Sequence, residues 1–189
     1  MDSNQTKRIF DFTFAVILIM PSILLCLLCM ASIYLETRAF PIFRQLRIGQ
    51  GGHCFWIYKL RTMHVNTRDA ASHEVSMAQI TKTGRILRKY KIDELPQLIN
   101  VLNGTMSFVG PRPCLSTQLE LLAERQARGV VALKPGITGP GQIAGLDMST
   151  PAPLAEADSL YLKPWSIGTD IGYLWKTFVG GGRGDAVRF

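Results

Sequence analysis

Asp93 and Glu94 stand side by side in the segment KIDELPQLINVLNGTMSFVGPRP (residues 91–113), and cations surround them in sequence. Lys82, Arg85, Arg88, Lys89 and Lys91 precede the pair, and Arg112 follows between Pro111 and Pro113. A carboxylate kept ionised by such neighbours can attack phosphorus and form an acyl phosphate. A second carboxylate beside it can hold Mg²⁺, a hard cation that needs few protein oxygens when substrate phosphates supply the rest. The surrounding lysines and arginines would neutralise charge on a phosphoryl group in transit. Arg112, stiffened by a proline on each side, suits a fixed bidentate phosphate contact. The pair also has a plainer reading, with Asp93 as an N-cap and Glu94 as a first-turn acid favoured by a helix dipole. On these two residues alone, both readings stand.

The elements that would position the pair follow from pattern. Leu95, Leu98, Ile99 and Leu102 have helical spacing, Gly104 is a stop signal, and Pro96 is tolerated only in a first turn. The acid pair is thereby expected at a helix N-terminus. Residues 40–63 read as two strands joined by a turn at 49–52, with Lys59 and Arg61 on one face by alternation. That turn lacks the Gly-Lys-Ser/Thr ending of a phosphate loop. Residues 64–80 are polar and irregular. Thr83 is the expected cap of a short basic helix over 84–90, with Ile86, Leu87 and Tyr90 on its apolar side; either anionic headgroups or plain solvent suits its cations. Another helix is expected over 115–128. The stretch KPGITGPGQIAG (134–145) is too rich in Gly and Pro for regular structure and predicts an ordered binding loop or a hinge. A short helix follows within 150–162. Residues 170–179 are aromatic and amphipathic, with Tyr173, Trp175 and Phe178 suited either to a membrane interface or to a core. The fold class expected is α+β: an apolar N-terminal helix, a small sheet and several short helices.

The chain has 189 residues and a formal net charge of +7, which predicts one catalytic-sized domain and an anionic partner. Residues 12–35 carry no charge; as one straight helix they would rise roughly 36 Å, enough to cross a hydrocarbon core. Pro21 interrupts the run, and Lys7, Arg8, Arg38, Arg44 and Arg47 make both flanks basic. Cationic flanks remain on the cytoplasmic side, so a re-entrant helix broken at Pro21, with Ser22 beside the break, is preferred over a single span. The run is too long for the apolar region of a cleaved signal peptide. Asp11, at the mouth of the run, is expected near Arg8. The organisation expected is a membrane helix over 1–38, a cytoplasmic catalytic domain over 39–179 and a disordered tail over 180–189. Cys26, Cys29, Cys54 and Cys114 form no disulfide framework, and neither they nor His53, His64 and His73 have zinc-ligand spacing. The basic stretches adjoin a membrane segment and match no nucleic-acid module, so nucleic acid is not an expected partner. Acid pair, basic clamp and membrane anchor together predict phosphoryl chemistry at the cytoplasmic face with one lipid substrate.

Four motifs in order, YKLRTM (58–63), DELPQLINVLNG (93–104), MSFVGPRP (106–113) and KPGITGPGQ (134–142), resemble those of the bacterial sugar transferases. The chain is similar, over residues 7–179, to the monotopic polyprenyl-phosphate phosphoglycosyl transferases in their short form. The resemblance implies transfer of a phospho-sugar from a UDP-sugar to a polyprenyl phosphate with release of UMP, starting a lipid-linked glycan such as O-antigen or exopolysaccharide. It implies that Asp93 attacks the β-phosphorus and carries the phospho-sugar, and that Glu94 assists; Asp93 and Glu94 would share the Mg²⁺. Lys59, Arg88 and Arg112 would contact phosphate, and Gly136 and Gln142 of the last motif join them as expected substrate contacts. The family's N-terminal helix is re-entrant at a Ser-Pro pair, which supports the re-entrant reading here. The sequence departs in two places: the break reads Met20-Pro21-Ser22, and Leu146 stands where the family often has arginine. An anionic bilayer at the inner membrane is a further expected partner, and a homo-oligomer is compatible with the reading. A silent membrane-surface binder and a glycosyltransferase that releases UDP are the competing functions.

Overall fold

The computed structural model describes residues 3–65, 67 and 77–180. It is an α+β structure, with one long apolar helix at its start and two small two-stranded sheets within a shell of short helices.

Helix α1 runs from Ser3 to Thr37. Pro21 lies inside it and the helix continues through that residue, so the expected break is not seen; the proline only removes one N–H donor from the ladder. Most of its apolar surface is unpacked: Met20 is 74% exposed, Leu24 66% and Leu28 65%. Buried residues occur towards the two ends. Ala15 joins a core with Phe55, Ile57, Leu98, Val101, Met106, Phe108 and Val109, and Phe14 meets Phe108 edge-on with ring centroids 4.9 Å apart. Ile33 is buried with Leu60 and Leu87 in a separate cluster. Polar bonds repeat this arrangement. Arg8 donates to the carbonyls of Val101 and Leu102, and Lys7 pairs with Asp170. Near the other end, Glu36 accepts from the backbone N–H groups of Lys82 and Thr83 at 2.8 and 3.0 Å. Asp11 does not take Arg8 as its partner. It pairs with Lys7 at 3.0 Å and accepts from the Phe108 N–H, while Arg8 donates to carbonyls near the C-terminal end of the helix over Leu98–Asn103.

Strands β1 (Ile42–Ile48) and β2 (Cys54–Leu60) form the expected antiparallel hairpin around the turn at Gln50–Gly52. Phe55 and Ile57 point to the core, while Trp56 on the other face stacks under the Arg44 guanidinium at 4.9 Å. Helix α2 spans Lys82–Lys89, and its cap is Thr81 rather than Thr83: the Thr81 hydroxyl accepts from the Gly84 N–H at 2.9 Å. Leu87 faces inward, whereas Ile86 and Tyr90 are exposed beside Arg85 and Lys89. A 3₁₀ turn over Ile92–Gln97 leads into helix α3 (Leu98–Asn103), which Gly104 closes at φ 83°.

Strand β3 (Ser107–Val109) pairs in parallel with β4 (Gly136–Thr138). The Gly/Pro-rich stretch expected to lack regular structure therefore contains a strand, followed by helix α5 (Pro140–Ile143). Its glycines allow backbones to meet: a Cβ on Gly136 would lie 2.1 Å from the Gly110 nitrogen. Helices α4 (Leu119–Ala127) and α6 (Pro151–Ser159) enclose Cys114, Leu121, Met148, Leu154 and Ala155. Helix α7 (Ile167–Phe178) meets both expectations for its aromatics: Tyr173 packs on the main core, while Trp175 and Phe178 are 63% and 84% exposed. Residues 68–76 and the tail from 181 lie outside the described residues, and with them most of the expected irregular loop and nearly all of the expected tail.

Candidate functional site

The acid pair lies on the 3₁₀ turn, one turn before α3, instead of at an α-helix N-terminus. Pro96 accounts for the shift: its ring and missing N–H are tolerated in the tight turn, and regular α-helix begins only at Leu98. Lys91 precedes the turn in a left-handed conformation, φ 56°, a strained choice for a side-chain-bearing residue. Asp93 is buried and Glu94 nearly so.

Three elements deliver cations to the pair. Lys59, near the end of β2, places its ammonium 3.0 Å from Glu94 Oε1. Arg112, on the loop after β3, donates from Nη2 to the same oxygen at 2.8 Å. Arg88, in the last turn of α2, is steadied by the Thr62 hydroxyl at 2.9 Å and acts on Asp93 through its charge. Arg61 is not part of this group. The strand ends at Leu60, and Arg61 turns away to donate to the Phe40 carbonyl.

The two acids have opposite protonation tendencies. Burial and the adjacent Glu94 charge push the Asp93 carboxyl up, against the pull of Lys59, Arg88 and Arg112. Burial also acts on Glu94, but Arg112 and Lys59 outweigh it and hold that carboxyl far below the usual range. Glu94 is the fixed anion that organises the cations. Asp93 beside it is the more basic of the two.

Gly136 lines the same cleft as Lys59 and Arg112, and its tight approach to Gly110 also makes it a packing residue. Gln142 is buried and donates to the Ile137 carbonyl at 3.1 Å, a bond internal to its own loop, while its Oε1 has no hydrogen-bond partner. Leu146 packs against the α4–α6 cluster, so an apolar contact stands where the resemblance leads one to expect a cation. Pro21 and Ser22 lie mid-way along α1, on its largely exposed stretch.

Four residues outside the sequence-derived set bear on the site. Arg47 is buried on β1, where it lines the cleft and donates to Gln45 Oε1 and the Pro113 carbonyl. Gln97 lines it from the 3₁₀ turn. Arg125 is buried on α4, donating to the Arg112 carbonyl at 2.8 Å and to Asp158 Oδ2 at 2.7 Å. The available signal for Arg47 was strand alternation, which puts it on the same face as Gln45. For Gln97 it was a three-residue offset from Glu94. Arg125 and Asp158 are 33 residues apart and gave no local signal.

The sequence profile of the bacterial sugar transferases matches residues 2–182. This chain belongs to the bacterial sugar transferase family. Among curated relatives of this sugar transferase, an uncharacterized sugar transferase, EpsL, of Bacillus subtilis is 41% identical, covering 90% of this chain and 84% of the relative. The UDP-glucose:undecaprenyl-phosphate glucose-1-phosphate transferase of Caulobacter vibrioides is 38% identical, over 90% of this chain and 67% of the relative. The undecaprenyl-phosphate galactose phosphotransferase of Salmonella typhimurium is 36% identical over 93% of this chain, which spans only 40% of that relative's length.

Proposed function

We propose that this sugar transferase moves a sugar phosphate from a UDP-sugar to a polyprenyl phosphate, releasing UMP, at the cytoplasmic face of a bacterial membrane. The observation that carries the reading is the geometry of the buried acid pair: Asp93 stands beside a Glu94 that is clamped by Lys59 at 3.0 Å and Arg112 at 2.8 Å. The relatives named for undecaprenyl-phosphate glucose and galactose phosphate transfer give the substrate class its support.

In this mechanism a carboxylate oxygen of Asp93 attacks the β-phosphorus of the donor. The bond from that phosphorus to the bridging oxygen breaks, and UMP leaves with the electron pair. Arg112, Lys59 and Arg88 offset the charge spreading over the phosphoryl oxygens. An oxygen of the lipid phosphate then attacks the same phosphorus and releases Asp93 as a carboxylate. Glu94 holds Lys59 and Arg112 in place throughout.

Mg²⁺ fits the donor set in a limited way. Among the described residues no three His, Cys, Asp or Glu side chains converge, so a cage made of protein alone is not offered. Two adjacent carboxylates, completed by phosphate oxygens and water, suit Mg²⁺ better than a softer metal. Asp93 and Glu94 are the residues that would hold it, and it would supply further charge neutralisation there.

The arrangement of α1 supports a monotopic topology. The soluble elements hold both of its ends while its middle is apolar and exposed. A helix that crossed a bilayer would carry one end out of their reach.

The deciding experiment omits the acceptor. Enzyme mixed with UDP-sugars alone should release UMP and gain a phospho-sugar mass on Asp93, and Asp93→Asn should gain none. Normal turnover by Asp93→Asn removes the nucleophile assignment, and release of UDP in place of UMP points to direct sugar transfer.

A further inference from the structure

Gln97 is 2% exposed, and its Nε2 is buried with no hydrogen-bond partner. A buried amide donor left unpaired costs free energy comparable to a lost hydrogen bond, so such groups are rare in a folded protein unless something else completes them. Its location identifies what is missing. Gln97 follows Glu94 by three residues on a 3₁₀ turn, where side chains three apart lie one above the other. It lines a cleft whose other walls include Arg47, Lys59, Arg112, Pro113 and Gly136.

The walls of that cleft are rich in hydrogen-bond donors. Lys59 and Arg112 reach it from the Glu94 cluster. Arg47 enters from β1 with its guanidinium donating to Gln45 Oε1 at 2.8 Å and to the Pro113 carbonyl at 3.2 Å. A planar, pre-positioned guanidinium loses little entropy on meeting an oxyanion. Gly136 contributes a wall without a side chain.

We propose that Gln97 and Arg47 form a phosphate subsite, in which the unpaired Gln97 amide donates to a phosphate-ester oxygen of the substrate while Arg47 neutralises its charge. The proposal deepens the function given above and rests on it for the substrate class. The shared ligand chemistry is a phosphate ester, and its source is either the nucleotide diphosphate or the polyprenyl phosphate. A neutral amide beside the cations gives direction: it donates to an anionic oxygen without adding charge that would trap the product.

The test uses the full chain in lipid nanodiscs, in an Asp93→Asn background where no covalent step occurs. Binding of UDP and of a short-chain polyprenyl phosphate is measured for that parent and with Gln97→Met, Gln97→Glu or Arg47→Gln added. Gln97→Met keeps the volume and removes the donor, and is expected to weaken one of the two ligands about tenfold. Gln97→Glu places a carboxylate against the same oxygen and should weaken that ligand further, and Arg47→Gln should weaken it as well. The affected ligand names the source. Unchanged affinity for both ligands in Gln97→Met, or equal losses in the Met and Glu variants, overturns the subsite. Covalent trapping in the unmutated enzyme is scored separately, so failure of the nucleophile leaves this result readable.

Discussion

Asp93 and Glu94 are neighbours in sequence with opposite electrostatic fates, and acid titration should separate them. Because folding raises the Asp93 carboxyl, its ionised form costs stability at neutral pH; that cost disappears once pH falls below the ordinary aspartate value of about 3.9. Glu94 behaves the other way. Its lowered carboxyl stabilises the fold above the ordinary glutamate value of about 4.3, and that contribution is lost as pH falls through the folded value. Thermal melts should therefore show Asp93→Asn more stable than the parent at pH 7, with the gain shrinking on acidification. Glu94→Gln, which removes the carboxylate that Lys59 and Arg112 share, should lose about 3 kcal/mol at pH 7. A destabilised Asp93→Asn at pH 7 would show that Lys59, Arg88 and Arg112 outweigh burial at this position. A stability cost is common at groups that binding or catalysis needs, and Asp93 is proposed to be one.

At the scale of elements, the loop bearing Arg112 is held from behind. Arg125 on α4 grips the Arg112 carbonyl and is itself paired with Asp158 on α6. Burial pushes the Asp158 carboxyl up, and Arg125 opposes that shift. Asp158→Asn leaves a buried guanidinium unpaired, so a loss of about 3 kcal/mol is expected. Freed of its partner, Arg125 should release the Arg112 loop and lower kcat more than it raises KM for the donor. Unaltered stability and kcat in Asp158→Asn would reduce the pair to a surface-like contact. The same scale explains the two displaced caps and turns. Thr81 outcompetes Thr83 because its hydroxyl lies three residues before the Gly84 N–H. Pro96 shortens the expected helix because it sits better in the tight turn.

For the whole molecule, the question is how a helix of 35 residues relates to a bilayer. Its two ends share partners on one body: Ala15 beside Phe108 and Val101, Ile33 beside Leu60 and Leu87. Exposed aromatics and cations elsewhere, Tyr90 with Arg85 and Lys89 on α2 and Trp175 with Phe178 on α7, suit a headgroup region. With native cysteines replaced, single cysteines at Gln5 and Phe40 should both react with an impermeant maleimide from the same side of sealed vesicles. Labelling from opposite sides would establish a span and separate the helix from the arrangement described above.

The sequence by itself determined the things that depend on local spacing: the hairpin, the apolar helix, the adjacent acids and the basic residues of four ordered motifs. Lys59 and Arg112 were legible because two of those motifs carry them, and Arg88 because it stands in the basic run before the acid pair. The parallel β3–β4 pair was not, since composition alone argued against a strand there and only the close approach of Gly110 to Gly136 makes one possible. Tertiary structure also decided which cation reaches which carboxylate, that Arg61 faces away, and that Gln97 Nε2 is left unpaired in a cleft. Those outcomes depend on contacts between residues far apart in the chain, whose energies no local pattern encodes.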